Sequence, residues 1–234
     1  MIEDAREVGD WLRHRFGQKK ICIVGHSWGS VLGTLLAQRY PEGIARYIGI
    51  GQFVSGPENE RLSYAFVLNE AKRRGDRRAI RELERIGEPK DGFYPTMKDM
   101  NIQRNYLSKY GGGTYNRHES IWSSLIIPLI QTPEYPLSKL SAYAKGAFYS
   151  LDQLWGEVVG QDFFKTVKKL DVPVLITQGR HDQNTPSELA RAWFDALEAP
   201  DKKWVWFEKS AHSPIKEEPE QWQRVIREEI LLAR

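Results

Sequence analysis

Three residues far apart in the chain are of the right types to act together on a carbonyl. Gly25-His26-Ser27-Trp28-Gly29 fits G-x-S-x-G, with an apolar run before it and a small-residue helix pattern after it. A serine hydroxyl is a poor nucleophile until a base takes its proton, and the base needs an acid to fix its tautomer and stabilise its charge. Ser210-Ala211-His212-Ser213-Pro214 supplies a candidate base and Gly179-Arg180-His181-Asp182 a candidate acid, each directly after a strand-like run. The Trp28 N–H, at the start of a helix, is placed to be one donor to the oxyanion that forms on attack.

The other histidines fit the role of base less well. His14 falls on a surface helix pattern, His118 lies in the irregular middle of the chain, and His26 precedes the nucleophile, where the turn points its ring away from Ser27. His181 adjoins the acid, too close for the two to approach Ser27 from opposite sides. Metal hydrolysis is disfavoured by the lack of H-E-x-x-H or paired C-x-x-C spacing. Gly111-Gly112-Gly113 lacks the preceding strand and following Lys of a phosphate loop and reads as a flexible turn. No cofactor is expected. Cys22, the single cysteine, sits in an apolar run and reads as a buried, inert thiol.

The elements that must carry these residues alternate. Ile2, Ala5, Val8, Trp11, Leu12 and Phe16 recur at helical spacing, so residues 2 to 16 form a surface helix stopped by Gly17. Ile21 to Val24 is a continuous run of β-formers, expected as a strand buried on both faces. The next helix carries Val31, Leu32, Leu35 and Leu36 and ends at Tyr40-Pro41, and Tyr47 to Ile50 forms the following strand. From about Ser55 to Thr166 the text turns helical and charged, as over Glu60 to Gly75 and Asp76 to Ile86. Strand–helix alternation then resumes with Val172 to Thr177, Pro186 to Leu197, Trp204 to Glu208 and a last helix over Pro219 to Leu232. This order predicts a doubly wound, mostly parallel sheet with helices on both faces.

With 41% hydrophobic residues, 234 residues suffice to enclose a substantial core. The 34 Lys and Arg are interspersed with 31 Asp and Glu, leaving a formal charge of +3 and no basic run that would call for nucleic acid or an anionic membrane. The first residues lack the pattern of a signal peptide and no run reaches transmembrane length, so a cytoplasmic location is expected.

Taken together, Val24 to Ser30 leading into Gly33 to Pro41, Val172 to Asp182, and Ala211-His212-Ser213 resemble the proline iminopeptidase-like branch of the α/β-hydrolases. The resemblance implies an α/β-hydrolase fold with a core in two parts, residues 1–54 and 167–234, and an inserted helical cap over 55–166. It implies a serine hydrolase that forms an acyl-enzyme, with Ser27, Asp182 and His212 in the nucleophile, acid and base roles; the chain order agrees. Its substrate would be a small ester, an amide or a short peptide. Acyl transfer to an alcohol or amine would use the same groups.

Two departures from the family qualify that expectation. Iminopeptidases of this group hold a free amino terminus with cap acids in a stretch resembling Asn-Gly-Pro-Asn-Glu, and no such stretch is found in this sequence, which weighs against aminopeptidase activity. The cap instead offers Trp122, Phe148, Tyr149, Trp155 and Phe163 to line an apolar pocket or pack its own core. Family members also begin with several strands, including a His- and Gly-rich loop that gives the second oxyanion donor, whereas only the helix over residues 2–16 precedes Ile21. The N-terminal part of the fold is therefore expected to be missing. Loss of one donor costs about 10²–10³ in turnover, which leaves a catalytically impaired fragment or binding module as the alternative to an enzyme completed by a homo-oligomer or a complementing N-terminal segment.

Overall fold

The computed structural model describes residues 1–115, 127–132 and 136–232. Four strands, β1 (Ile21–His26), β2 (Ile44–Ile50), β3 (Val174–Gly179) and β4 (Lys202–Phe207), form one parallel sheet in the order β1-β2-β3-β4. Gly25 pairs with Gly49, Gly49 with Ile176, and Ile176 with Trp204, so the C-terminal ends of all four strands lie at the same edge of the sheet. β3 is buried at every position, as its uninterrupted Val-Leu-Ile-Thr run requires of a central parallel strand.

β1 differs from expectation. It forms one border of the sheet, Val24 is 49% exposed, and Cys22 is half-buried, with its thiol pushed up by the loss of solvent. An apolar run of this length is equally compatible with a border strand, because sequence alone does not say what lies beyond it.

Helix α1 (Ile2–Arg15) packs Ile2 and Ala5 against the core but leaves Val8, Trp11 and Phe16 exposed. α2 (Trp28–Arg39) buries Val31, Leu36 and Ala37 against the sheet, and Gly33 lets Tyr47 approach: a Cβ there would fall 2.7 Å from the tyrosine ring. Between β2 and β3 run α3 (Gly56–Arg73), α4 (Arg77–Ile86), α5 (Met97–Lys109), α6 (Ile127–Gln131), α7 (Leu140–Val159) and α8 (Phe163–Thr166). α9 (Ser187–Ala196) joins β3 to β4, and α10 (Pro214–Glu217) and α11 (Pro219–Ile226) follow β4. The last helix does not run on to Leu232 in α form, since Arg227–Leu232 is wound as a π-helix.

Among the described residues two apolar clusters form. One lies around the sheet and includes Tyr47, Ile176, Phe163 and Trp193; the other, with Tyr64, Val67, Leu83 and Leu107, lies among α3, α4 and α5. α4 is started by Asp76, whose side chain accepts from the Ala79 N–H, and α5 by Thr96, which accepts from the Asp99 N–H. No helix among the described residues is long and apolar enough to cross a membrane.

Candidate active site

The turn between β1 and α2 is strained at one residue. Ser27 has φ 56° and ψ −122°, a conformation that costs a side-chain-bearing residue on the order of 1–3 kcal/mol. Bonds on both sides hold it there: the Ser27 N–H donates to Ile50 O at 2.9 Å, and Ser27 O accepts from the Ser30 N–H at 2.8 Å and the Ser30 hydroxyl at 2.5 Å. The Ser30 hydroxyl also accepts from the Phe53 N–H at 2.9 Å, tying the elbow to the end of β2. Gly25 is obligatory, since a Cβ there would stand 2.4 Å from Gly29 O and 2.9 Å from Ser30 Cα. Gly29 is not confined in the same way: a Cβ at that position meets nothing within 4 Å. Trp28 is the first residue of α2, so its N–H has no acceptor within the helix.

The three residues singled out by the sequence meet at the C-terminal edge of the sheet. His212 Nε2 lies 2.7 Å from Ser27 Oγ, and His212 Nδ1 lies 3.0 Å from Asp182 Oδ2. Asp182 is fully buried and receives every donor around it: the Asn184 and Thr185 N–H groups at 2.9 Å each on Oδ1, and Gln178 Nε2 at 2.9 Å and the Thr185 hydroxyl at 2.7 Å on Oδ2. Those donors fix the carboxylate in place against Nδ1 of His212, a contact that orients the imidazole.

Several residues that the sequence did not single out position the base. Gly51, φ 53°, leaves room for the imidazole: a Cβ would stand 3.0 Å from His212 Cε1 and Nδ1. At Gly179 a Cβ would collide with Ala211 O at 1.9 Å, so glycine lets β3 pass against the base loop. Glu217 accepts from the backbone N–H groups of Ala211, Ser213 and Tyr115, clamping His212 from both sides. Ser213-Pro214 with Glu217 one turn on is a helix-start pattern and could have signalled this role. Gly111-Gly112-Gly113 proves to be a brace: Gly112 O accepts from the Gln183 N–H at 2.9 Å and Gly113 O from the His212 N–H at 3.2 Å.

Of the other histidines, His181 stacks on Tyr115 at 4.3 Å and places Nε2 3.2 Å from Glu208 O, away from Ser27. His26 reaches across to the base loop, with Nε2 2.9 Å from His212 O. Burial, and then the nearby His212, push the His26 imidazole below its ordinary range, so at neutral pH it is uncharged and donates to that carbonyl. His14 lies on α1, and His118 lies outside the described residues.

A cavity of about 160 Å³ opens onto Ser27. Phe53, Met100, Trp155 and Val158 give it apolar walls, while Asn59, Glu60 and Arg104 form a polar wall from α3 and α5. A larger groove of about 800 Å³ between α4 and α5 contains none of the reactive residues. Among the expected cap aromatics that are described, Trp155 reaches this cavity, whereas Phe163 is buried against Trp193 and Tyr149 is exposed. Trp122 and the Phe148 side chain lie outside what is described.

Residues 2–85 match the family model described as the alpha/beta hydrolase fold. The probable aminopeptidase YbaC of Bacillus subtilis (strain 168) is 30% identical over 222 residues, covering 93% of this chain and 67% of that protein. The chain belongs to the α/β-hydrolase family. Within it the chain is proline iminopeptidase-like: the proline iminopeptidase of Heyndrickxia coagulans is 26% identical over 223 residues, with 92% of this chain and 68% of that one covered. Among solved structures the fold matches the esterase EaEST from Exiguobacterium antarcticum with a TM-score of 0.57 at 14% identity, over 97% of this chain and 70% of that one. This α/β-hydrolase is thus a hydrolytic enzyme that spans about two thirds of the length of its curated relatives.

Proposed function

We propose that the chain is a serine hydrolase that cleaves an ester or amide bond of a small substrate through Ser27, His212 and Asp182. What carries the reading is the unbroken line from Ser27 Oγ to His212 Nε2 at 2.7 Å and from His212 Nδ1 to Asp182 Oδ2 at 3.0 Å. His212 takes the Ser27 proton as Oγ attacks the carbonyl carbon, then hands it to the departing alcohol or amine, leaving an acyl-enzyme. Water repeats the sequence, with His212 again as base, and frees the acid. The Trp28 N–H, reinforced by the positive end of α2, donates to the oxyanion in both steps. The helices between β2 and β3 act as a cap that shapes the cavity above Ser27.

A fluorophosphonate probe should label Ser27 in the folded chain and leave Ser27→Ala unlabelled, and hydrolysis of p-nitrophenyl butyrate should vanish with the same substitution. Folded protein that stays unlabelled, or turnover that survives in Ser27→Ala, would overturn the proposal.

A further inference from the structure

The polar wall of the cavity contains a carboxylate that is already occupied. Glu60, with a side chain only 1% exposed, has both oxygens 2.6 Å from Arg104 Nη2. Asn59 Nδ2 lies 3.3 Å from Glu60 Oε1 and also donates to Asn184 O on the acid loop at 2.9 Å, so the carboxylate sits in a fixed frame. The guanidinium is fixed as well: Arg104 Nη1 donates to Gln103 Oε1, and Gln103 Nε2 donates to Ser63 Oγ at 3.0 Å. One anion and one cation thus face the cavity as a pair, with apolar side chains forming the rest of its lining.

We infer that the Glu60–Arg104 pair makes this wall neutral and so selects uncharged acyl groups over those bearing a free ammonium or a carboxylate. The inference rests on the proposal that the cavity beside Ser27 receives the acyl group. A charged group entering must give up its water in a small space. An ammonium would find Glu60 already compensated and Arg104 repelling it, and a carboxylate would find the reverse. Removing one member of the pair leaves the other charge uncompensated, and the preference should then invert towards its opposite.

The test is binding to the full chain carrying Ser27→Ala, where nothing turns over, with three p-nitroanilides: alanyl, propionyl and succinyl. Calorimetry should show the propionyl compound bound at least about tenfold tighter than either charged one, a gap of about 1.4 kcal/mol. Adding Arg104→Gln should raise the affinity of the alanyl compound relative to propionyl by at least about tenfold, and adding Glu60→Gln should do the same for the succinyl compound. Both substitutions alter a buried pair and could unfold the chain, so a second measurement needs neither. Raising the pH through the α-amino pKa of about 8 discharges the alanyl ligand, which should then bind like the propionyl one. Equal or tighter binding of the alanyl compound at pH 7, or ratios that neither the variants nor pH change, would overturn the inference. So would absence of binding by all three. A failure of the triad shows separately, as loss of fluorophosphonate labelling in the chain with Ser27 intact.

Discussion

Replacing Gly51 by alanine separates backbone strain from crowding of the base. The residue has φ 53°, where an L side chain costs roughly 1–2 kcal/mol, a fall of about 2–8 °C in melting temperature for a chain of this size. The new Cβ would also stand 2.9 Å from His212 O and 3.0 Å from its Cε1 and Nδ1, inside the 3.4 Å at which ordinary contact begins. The imidazole must therefore retreat from its place between Ser27 and Asp182. Misplacement on the order of 1 Å costs about 10²-fold in rate, so a somewhat smaller displacement should cost about 10-fold to 10²-fold. Gly75→Ala is the control: its φ is 66°, and a Cβ there meets nothing within 4 Å. Both variants should lose similar stability by thermal denaturation, but only Gly51→Ala should slow fluorophosphonate labelling and p-nitrophenyl butyrate turnover. If Gly51→Ala keeps the wild-type labelling rate while melting like Gly75→Ala, the space it leaves for His212 has no part in catalysis and the reasoning fails.

Asp182→Asn keeps the shape of the acid but turns an amide group towards donors that already fill its place, so the imidazole loses its tautomer; turnover should fall by about 10⁴ while circular dichroism is unchanged. Because Ser27 is strained, Ser27→Gly should be more stable than Ser27→Ala by about 0.5–2 kcal/mol in urea denaturation, the relief of strain less the entropy of glycine; equal stabilities would mean the elbow holds no strain. His26 has its folded pKa held below the ordinary value, so below about pH 6.5 the unfolded chain binds more protons and stability declines as pH falls. His26→Gln should shrink the loss of urea midpoint between pH 7.5 and pH 5, and an unchanged slope would contradict the assignment. Gly112→Ala would place a Cβ 2.5 Å from Leu107 Cδ1 and 2.9 Å from Gln183 Cβ, and overpacking of that kind costs about 1–3 kcal/mol; slower labelling of Ser27 should accompany the loss, and a stability change alone would show that the turn does not position the base.

What could be read from the sequence were the features whose physics is local. Ser27 is legible because a strand, two glycines and a helix bracket it within a few residues, and Asp182 and His212 because each follows a strand-like run at the expected edge. What could not be read depends on partners distant in the chain. Gly51 looks like any glycine after a strand; only the fold puts it against an imidazole more than 150 residues further on. Glu60 reads as one of many charges on an amphipathic helix, and nothing in its neighbourhood says that Arg104 meets it across the cap. The three glycines at 111 to 113 suggest freedom, because composition does not reveal that their carbonyls are taken by Gln183 and His212. The apolar run of β1 suggests burial on both faces for the same reason: hydrophobicity reports what a strand tolerates, whereas exposure depends on what is packed beside it.

The supports of the acid and the base are not alike. The Asp182 carboxylate takes its donors from residues 178 to 185, while the backbone of its loop is tied to Gly112 and Asn59. His212 is held from several separate parts of the chain: His26 beside the nucleophile, Gly113 at the end of the α5 turn, and Glu217 on α10. Its carbonyl binds to the elbow and its N–H to Gly113 of the helical insertion, which also holds the acid loop through Gly112 and Asn59, so displacement of that insertion acts on both loops. Substitutions in the turn at 111 to 113 should therefore lower the reactivity of Ser27, an effect that would be absent if the insertion served only to wall the cavity.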